Sequence, residues 1–354
     1  MRFRIHRKLP GLRWFGWLSL AVLGSLPWPA APANPAGERA LVERPAYRAE
    51  ERFRILWRDP GDVSTRDLFY GIGGKQHAPQ TEEYTFVEED RGGNSPKFDV
   101  RDSKGVLWKV KLGPEAQGEV AATRLVFAAG YFADEDYFQP RIHVDGMPIR
   151  LKRDKHLVFS DGIVKNARME RQIEGQKKVG YWKWTDRRIL NQRNLNGLKT
   201  VMALINNWDL KDTNTAIYKR PNAQGEAEYI YAVSDLGASF GLTHLDRQNT
   251  KANLQAYEAS EFIAKADPKR VTLATPGAPT PYLMVNLEDY FYRRGLRSIT
   301  RDIPRSDARW IGQILSGLSR EQIRDTFRAA GFSQEETEGY ATVVEQRIEI
   351  LRQL

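Results

Sequence analysis

A short polar stretch in the second half of the sequence carries the residue types that phosphoryl transfer requires. It reads NNWDLKDTNTAIY and contains Asp209, Lys211 and Asn214. Transfer of a phosphoryl group from ATP needs a carboxylate to accept or orient the acceptor hydroxyl, an oxygen ligand for the metal ion and a cation near the phosphates. We therefore predict that Asp209 and Lys211 are catalytic and that Asn214 binds the metal.

A single acid in the next apolar run is the natural partner of Asn214 at such a metal site. Asp235 lies in YAVSDLGASFG, 21 residues after Asn214, at the end of a strand-like run. Carboxylate and amide oxygens are the ligands that Mg²⁺ or Mn²⁺ prefers beside ATP phosphates. We predict that Asp235 is the second metal ligand. The alternatives are that Asp235-Leu-Gly is only a turn and that Asp209 belongs to a loop closed by an Asx-turn.

The run WKVKLG supplies a lysine for the nucleotide. It places Lys109 and Lys111 on one face of a predicted strand, because side chains two residues apart in a strand point the same way. We prefer Lys111 as the lysine that binds the ATP phosphates, since an apolar residue flanks it on each side. Glu119, on the helix predicted next, is then its ion-pair partner, and Glu115 is the alternative.

Glycine-bearing turns are candidates for the phosphate-binding backbone. In RGGNSPKF, Gly92 and Gly93 permit close approach of N–H groups to phosphates, and Lys97 follows them. We predict that these three residues contact the nucleotide. The run GIGGK from Gly71 to Lys75 is a weaker candidate, and it does not match the P-loop pattern G-x-x-x-x-G-K-[ST]. The alternative is that both turns are plain loops between strands.

The order of the predicted elements indicates an α+β fold with two lobes. Three β-rich runs with period-two alternation predict an antiparallel meander, and a helix follows that begins at Pro114 and ends at Gly130. The remainder is mostly helical with one small hairpin. We predict a β-rich N-lobe with one main helix over residues 61–148. We predict a mostly helical C-lobe with the catalytic and metal-binding loops over residues 149–354, and a cleft between the lobes.

The first 33 residues have the three-part layout of a secretory signal peptide. Five cations and no acid flank the apolar run Trp14 to Leu26, and Ala31-Pro32-Ala33 fits the cleavage pattern. We predict a signal peptide over residues 1–33, then a linker and N-terminal extension over residues 34–60, in an exported protein that is periplasmic or secreted. An uncleaved signal would hold the chain on the membrane. The alternative is a buried core helix, since the run is shorter than the ~20 residues of a membrane span.

The composition excludes several kinds of site. The 354 residues include no cysteine, which rules out disulfides, zinc-thiolate sites and thiol catalysis. The five histidines show no metal-ligand spacing. Removing the five cations of the predicted signal from the net charge of +9 leaves about +4. That charge is mild and no basic stripe alternates with aromatic residues, so we predict no nucleic-acid partner.

Together these motifs resemble the atypical kinases of the HipA type and the secretory-pathway (casein-type) kinases, and more remotely the phosphoinositide kinases. The runs GGNSPKF, WKVKLG, NNWDLKDTN and DLGASFG carry the resemblance. Asp209 and Asn214 have the five-residue offset of the kinase catalytic loop, Lys211 is the lysine of D-L-K, and Asp235 stands at the D-F-G aspartate. The resemblance implies a two-lobed protein-kinase-like fold, binding of ATP with Mg²⁺ or Mn²⁺, and transfer of the γ-phosphate to a hydroxyl on a protein or glycan.

The chain also departs from the kinase patterns. Asn207 and Trp208 stand where ordinary protein kinases have His-Arg, and no A-P-E segment is evident. Secretory-pathway kinases are usually disulfide-rich, whereas this chain has no cysteine. These differences leave the acceptor open. They also leave two alternatives to an active kinase: a nucleotide-binding pseudokinase, and a non-enzymatic envelope binding or scaffold protein.

Overall fold

The computed structural model describes residues 54–92, 95–152, 159, 161–242, 251–276 and 287–354. The predicted signal peptide and the predicted linker as far as residue 53 lie outside these ranges, and so does Gly93 of the predicted phosphate-binding turn. Within the described ranges, no helix is long and apolar enough to cross a bilayer.

The elements are numbered here along the chain. The strands are β1 Arg54–Ile55, β2 Glu83–Asp90, β3 Lys97–Arg101, β4 Leu107–Lys111, β5 Phe132–Ala133, β6 Asp136–Asp145, β7 Ile163–Arg171, β8 Lys177–Gly180, β9 Thr215–Pro221, β10 Ala227–Val233, β11 Ile263–Ala266, β12 Arg270–Leu273 and β13 Ile303–Pro304. The helices are α1 Gly74–His77, α2 Glu115–Ala128, α3 Arg193–Leu204, α4 Leu254–Glu258, α5 Leu287–Leu296, α6 Arg305–Leu315, α7 Arg320–Arg328 and α8 Gln334–Gln353.

Five strands close into a barrel that forms the N-lobe. Strands β2, β3 and β4 run antiparallel in sequence order, which confirms the predicted meander. Strand β7 pairs antiparallel with both β4 and β6, and β6 returns parallel to β2 to close the ring. Strand β7 therefore belongs to the barrel, although it follows residue 148, where we predicted the N-lobe to end.

The barrel core explains how β4 presents its lysines. Trp108 and Val110 point into the barrel and are buried with Phe98 of β3. Because successive side chains of a strand alternate between its two faces, Lys109 and Lys111 lie together on the opposite face. That face lines the cleft between the lobes.

Helix α2 joins the two lobes. It begins after Pro114 and ends before Gly130, whose φ of 85° lies in the left-handed region that favours glycine, as predicted. Most of its side chains are buried, and Val120, Leu125 and Val126 belong to the large core of the helical lobe. Glu115 and Glu119 are four residues apart and lie on one face of the helix.

The C-lobe contains two small sheets and most of the helices. Strands β1, β10, β9 and β8 form one sheet in that order, with β5 also beside β10, and β11, β12 and β13 form the other. Strands β9 and β10 make the predicted antiparallel hairpin. Helices α7 and α8 begin with the predicted capping boxes, at Ser319 with Gln322 and at Ser333 with Glu336.

An aromatic cluster in the C-lobe holds the chain that follows Asp235. The rings of Phe327 and Tyr340 stack at 4.9 Å, and Phe240 packs edge-on against them at 5.3 and 5.7 Å. Such pairs each contribute about 1 kcal/mol beyond the area they bury. The segment from Asp235 to Phe240 is therefore anchored at its far end.

The described chain thus has two separate hydrophobic cores, one inside the barrel and one among the helices of the C-lobe. Along the chain, three barrel strands come before the linking helix α2 and the remaining barrel strands come after it. Helix α3, the β9–β10 hairpin and the other C-lobe helices follow. The predicted α+β fold with a β-rich lobe and a mostly helical lobe is confirmed.

Candidate functional site

A single large cleft brings most of the predicted site residues together. Its volume is about 1740 Å³, and both lobes line it. The predicted residues in its lining are Lys97, Lys111, Glu119, Asp209, Lys211, Asn214 and Asp235. Gly92 is not part of this lining, and its N–H donates to Asp90 Oδ1 at 2.7 Å.

Lys111 is the centre of the charge network in the cleft. Its side chain is only 4% exposed, and Nζ lies 2.8 Å from Glu119 Oε2, 2.7 Å from Asp235 Oδ1 and 2.8 Å from Glu115 Oε2. Burial lowers the pKa of Lys111, but the three carboxylates raise it by a larger amount. The pKa therefore lies above its ordinary value and the ammonium stays charged. The structure thus pairs Lys111 with the preferred partner and also with the alternative.

Glu119 is held by a second cation that the sequence analysis did not identify. Arg168 of β7 places Nε 3.5 Å from Glu119 Oε2 and donates from Nη1 to Asp136 Oδ1 at 2.6 Å and to Glu170 Oε2 at 2.8 Å. Burial raises the pKa of Glu119, while Arg168 and Lys111 oppose that rise. Arg168 therefore braces the Lys111–Glu119 pair from the barrel side.

The loop that carries Asp209 begins at a well-defined helix end. Asn206 has a φ of 55°, and its N–H donates to Ala203 O at 3.0 Å while the next N–H, of Asn207, donates to Met202 O at 2.8 Å. These two bonds form the Schellman motif that ends many helices with a left-handed residue. The motif turns the chain out of α3, so that Asp209 enters the cleft.

Within this loop, two neighbours fix the carboxylate of Asp209. Lys211 Nζ lies 3.0 Å from Asp209 Oδ2, and Asn214 Nδ2 donates to Asp209 O at 2.8 Å and to Oδ2 at 3.2 Å. The N–H of Asp209 itself donates to Asn207 Oδ1 at 3.1 Å. The three predicted residues of this loop therefore form one hydrogen-bonded unit.

The second predicted metal ligand joins this unit through the backbone. The N–H of Ser234 donates to Asn214 O at 2.9 Å, which places the following residue, Asp235, beside the loop. Asp235 has a φ of 52°, and its side chain is 55% exposed towards the cleft. Burial raises the pKa of Asp235, but Lys111 lowers it by a larger amount, so the pKa lies below its ordinary value.

The donor set fits a hard divalent cation bound together with phosphates. Because Asn214 uses its Nδ2 to donate to Asp209, its Oδ1 is the atom available to a metal. Asp235 adds an ionised carboxylate. In the described part of the chain, no group of three acidic, histidine or cysteine side chains could hold a metal without help. Magnesium commonly takes one or two protein ligands and completes its shell with phosphate oxygens and water.

Two further residues of the site, Ser95 and Lys251, were not assigned a role from the sequence. Ser95 Oγ donates to Glu115 Oε2 at 3.0 Å, and Lys251 forms an ion pair with Glu115 Oε1. Glu115, the predicted alternative partner of Lys111, and Lys251 are 136 residues apart, so no local pattern connects them. Burial raises the pKa of Glu115, but Lys111 and Lys251 lower it to about 2.

Comparison with known proteins gives likenesses of fold only. No protein-family model and no curated protein matches the chain. It is similar to the Helicobacter pylori proinflammatory kinase CtkA, with a TM-score of 0.44 and 12% identity over 77% of this chain and 97% of that one. It is also similar to the Golgi casein kinase, with a TM-score of 0.33 and 8% identity over 78% of this chain and 74% of that one. A structure of the Golgi casein kinase with Mn/ADP bound gives a TM-score of 0.33 and 9% identity.

Proposed function

We propose that this chain is a kinase-like phosphotransferase that moves the γ-phosphate of ATP to a hydroxyl on a protein or glycan. One observation carries the proposal: Lys111, Asp235 and the Asp209–Asn214 unit lie in one cleft. Lys111 contacts Asp235 directly, and the backbone N–H of Ser234 joins Asp235 to Asn214. Each is a residue type that phosphoryl transfer requires. The kinase-like order of the elements supports the same function.

Asp209 is the group that receives the acceptor. Its carboxylate accepts the hydroxyl proton as the acceptor oxygen forms a bond to the γ-phosphorus, and the bond from that phosphorus to the β–γ bridging oxygen breaks. Lys211 and Asn214 keep the carboxylate of Asp209 in one orientation during this step. General base groups of this kind contribute roughly 10²–10⁴-fold to a rate.

The remaining residues bind and orient ATP. Lys111 is placed to neutralise charge on the α- and β-phosphates, and Glu119 and Arg168 hold Lys111 at the cleft wall. Asn214 and Asp235 are the residues that would hold Mg²⁺ or Mn²⁺, which would neutralise charge on the phosphate oxygens.

The N-terminal sequence supports a site of action outside the cytoplasm. The signal-like layout of residues 1–33 would export the chain to the periplasm or the medium, or tether it to the membrane if it is not removed. The mild charge of the remainder favours a protein or glycan acceptor over nucleic acid. ATP would have to be supplied in that compartment.

The test is a thermal-shift titration of the exported protein with ATP and Mg²⁺ or Mn²⁺. We expect a metal-dependent rise in melting temperature for the wild-type protein that Asp235→Ala abolishes. Asp145→Ala, at an exposed end of β6, is the control and should keep the rise. A wild-type protein that stays folded and shows no shift at millimolar nucleotide would overturn the proposal and leave an envelope binding or scaffold protein.

A shift without phosphate transfer would separate the pseudokinase alternative from the enzyme. In that case nucleotide binding would survive Asp209→Asn, and no ADP would form with either protein. Formation of ADP by the wild-type protein alone supports the enzyme.

A further inference from the structure

Three hydrogen-bond donors from three separate parts of the chain converge on the carboxylate of Glu115. Lys111 Nζ of β4 lies 2.8 Å from Oε2, and Ser95 Oγ of the turn before β3 donates to the same oxygen at 3.0 Å. Lys251, after the Asp235 segment, pairs with Oε1. The carboxylate lies in the cleft lining and is 14% exposed.

Lys251 is held in this position by its neighbours. The N–H of Ala252 donates to Ser239 O at 3.1 Å, and the N–H of Asn253 donates to Phe240 O at 2.8 Å. Because Phe240 is anchored in the aromatic cluster, these bonds tie Lys251 to the segment that carries Asp235. The backbone beside Lys251 is thus anchored to the cleft wall, and its ammonium is held there by Glu115.

A hydroxyl and two ammonium groups around one anionic group make up a donor set for a phosphoryl group. Phosphate oxygens are bound by the same charge-assisted hydrogen bonds that carboxylates accept. The low pKa of Glu115, about 2, reflects the positive potential at this point. Lys111 does not need Glu115 as its counter-ion, since Glu119 and Asp235 lie equally close to its Nζ.

We propose that Ser95 and Lys251, beside Lys111 at the α- and β-phosphates, form the subsite for the terminal phosphate of ATP, and that Glu115 occupies this subsite when no nucleotide is bound. The proposal rests on the proposed function, because it assumes that ATP enters this cleft. On binding, the terminal phosphate replaces the Glu115 carboxylate. Glu115 therefore competes with the nucleotide. The apparent affinity for ATP equals the intrinsic affinity multiplied by the fraction of molecules in which the subsite is free.

The proposal predicts that one substitution in the cleft strengthens the binding of Mg-ATP. Glu115→Gln removes the competing charge, so the full chain should bind Mg-ATP on the order of tenfold more tightly than the wild-type protein. A glutamate that positioned Lys111 or bound the metal would give the opposite change. Glu335→Gln, in the first turn of α8 and exposed, is the matched control and should leave the affinity unchanged.

A second variant tests the subsite without altering Glu115. Lys251→Met should weaken Mg-ATP binding about tenfold and leave Mg-ADP binding nearly unchanged, because only ATP carries the terminal phosphate. Lys265→Met, at an exposed position on β11, is the control. Calorimetric titration with Mg-ATP and Mg-ADP measures both affinities.

The outcomes separate this inference from the proposed function. Tighter ATP binding by Glu115→Gln and a reduced ATP-to-ADP preference in Lys251→Met support it. Wild-type binding of ATP with an unchanged or weaker affinity in Glu115→Gln overturns the competition. An unchanged ATP-to-ADP preference in Lys251→Met overturns the subsite. Failure of the wild-type protein and of Glu115→Gln to bind either nucleotide overturns the proposed function and this inference together.

Discussion

Arg347 of α8 donates from Nη1 to the carbonyl oxygen of Leu204, the last residue of α3, at 3.1 Å. The same guanidinium donates from Nη2 to Tyr257 O at 3.2 Å and to Ser260 Oγ at 2.6 Å, and it lies over the ring of Tyr257 at 4.1 Å. Arg347 is 3% exposed. A buried cation at the carboxyl end of α3 satisfies carbonyls that a helix end leaves free, and it does so one turn before the loop of Asp209.

Replacing Arg347 should therefore destabilise the C-lobe. Arg347→Met removes the buried hydrogen bonds to Leu204 O, Tyr257 O and Ser260 Oγ and the cation over the ring of Tyr257, and we expect the free energy of unfolding to fall by about 2–4 kcal/mol. Arg352→Met, on the exposed face of the same helix and paired with Glu349, should cost less than about 0.5 kcal/mol. Urea denaturation measures both. Equal losses for the two variants would show that the buried contacts of Arg347 contribute nothing special.

Asp209→Asn should separate nucleotide binding from turnover. The amide keeps the shape of the side chain but cannot accept the hydroxyl proton, so we expect the rate of ADP formation from Mg-ATP to fall by about 10²–10⁴-fold. The thermal shift with ATP should remain. Asp267→Asn, at an exposed turn, is the control and should keep the wild-type rate. Loss of the thermal shift in Asp209→Asn would contradict the role given to this residue.

Asn206 should tolerate glycine better than alanine. Its φ of 55° is strained for alanine but not for glycine, although both replacements lose the hydrogen bond from Nδ2 to Gly241 O at 2.6 Å. We expect Asn206→Gly to be more stable than Asn206→Ala by about 1 kcal/mol. Thermal unfolding ranks the two variants, and the reverse order would mean that the left-handed turn does not govern stability here.

The charge of Glu115 should make stability depend on pH. Its pKa falls from an ordinary 4.5 to about 2 in the folded chain, so its ionisation stabilises the fold above pH 4.5. This contribution is lost as the pH falls from about 4.5 to below 2, when the carboxylate takes up a proton. The difference in free energy of unfolding between the wild-type protein and Glu115→Gln should therefore shrink by about 2 kcal/mol from pH 7 to pH 3. Guanidinium denaturation at the two pH values measures this difference. A difference that does not change with pH would show that the neighbouring cations do not lower the pKa of Glu115.

The sequence predicts the parts of the site that depend on local patterns. Lys111 is recognisable because β4 alternates apolar and basic residues, and Asp235 because it directly follows a hairpin strand. Arg168 and Lys251 were not predicted, since their importance comes from carboxylates on other elements that only folding brings near. Gly92 shows that a local pattern can also suggest a contact with the nucleotide for an N–H that another residue already binds. Its N–H is taken by Asp90, two residues away, which the glycine-rich pattern does not reveal.

In the two lobes as well, the sequence predicted local features but not long-range pairing. Strand alternation and helix capping at Ser319 and Ser333 are local and were predicted correctly. Strand β7 belongs to the barrel because it pairs with β4, more than 50 residues earlier in the chain. The charged sequence that precedes β7 gives no indication of this pairing. Long-range register is the information that a single sequence lacks.

The closure of the barrel between β2 and β6 restricts how a partner can bind. Strands at the edge of an open sheet present unpaired N–H and C=O groups to which an extended peptide can add. In the ring of β2, β3, β4, β7 and β6 every strand has two neighbours, although β2 and β6 pair only from Glu83 to Thr85 and from His143 to Asp145. The ring therefore leaves little free strand edge in the N-lobe on which a protein acceptor of the proposed reaction could extend a sheet. Its recognition would then depend on side chains around the cleft and on the C-lobe, where β8 ends the larger sheet.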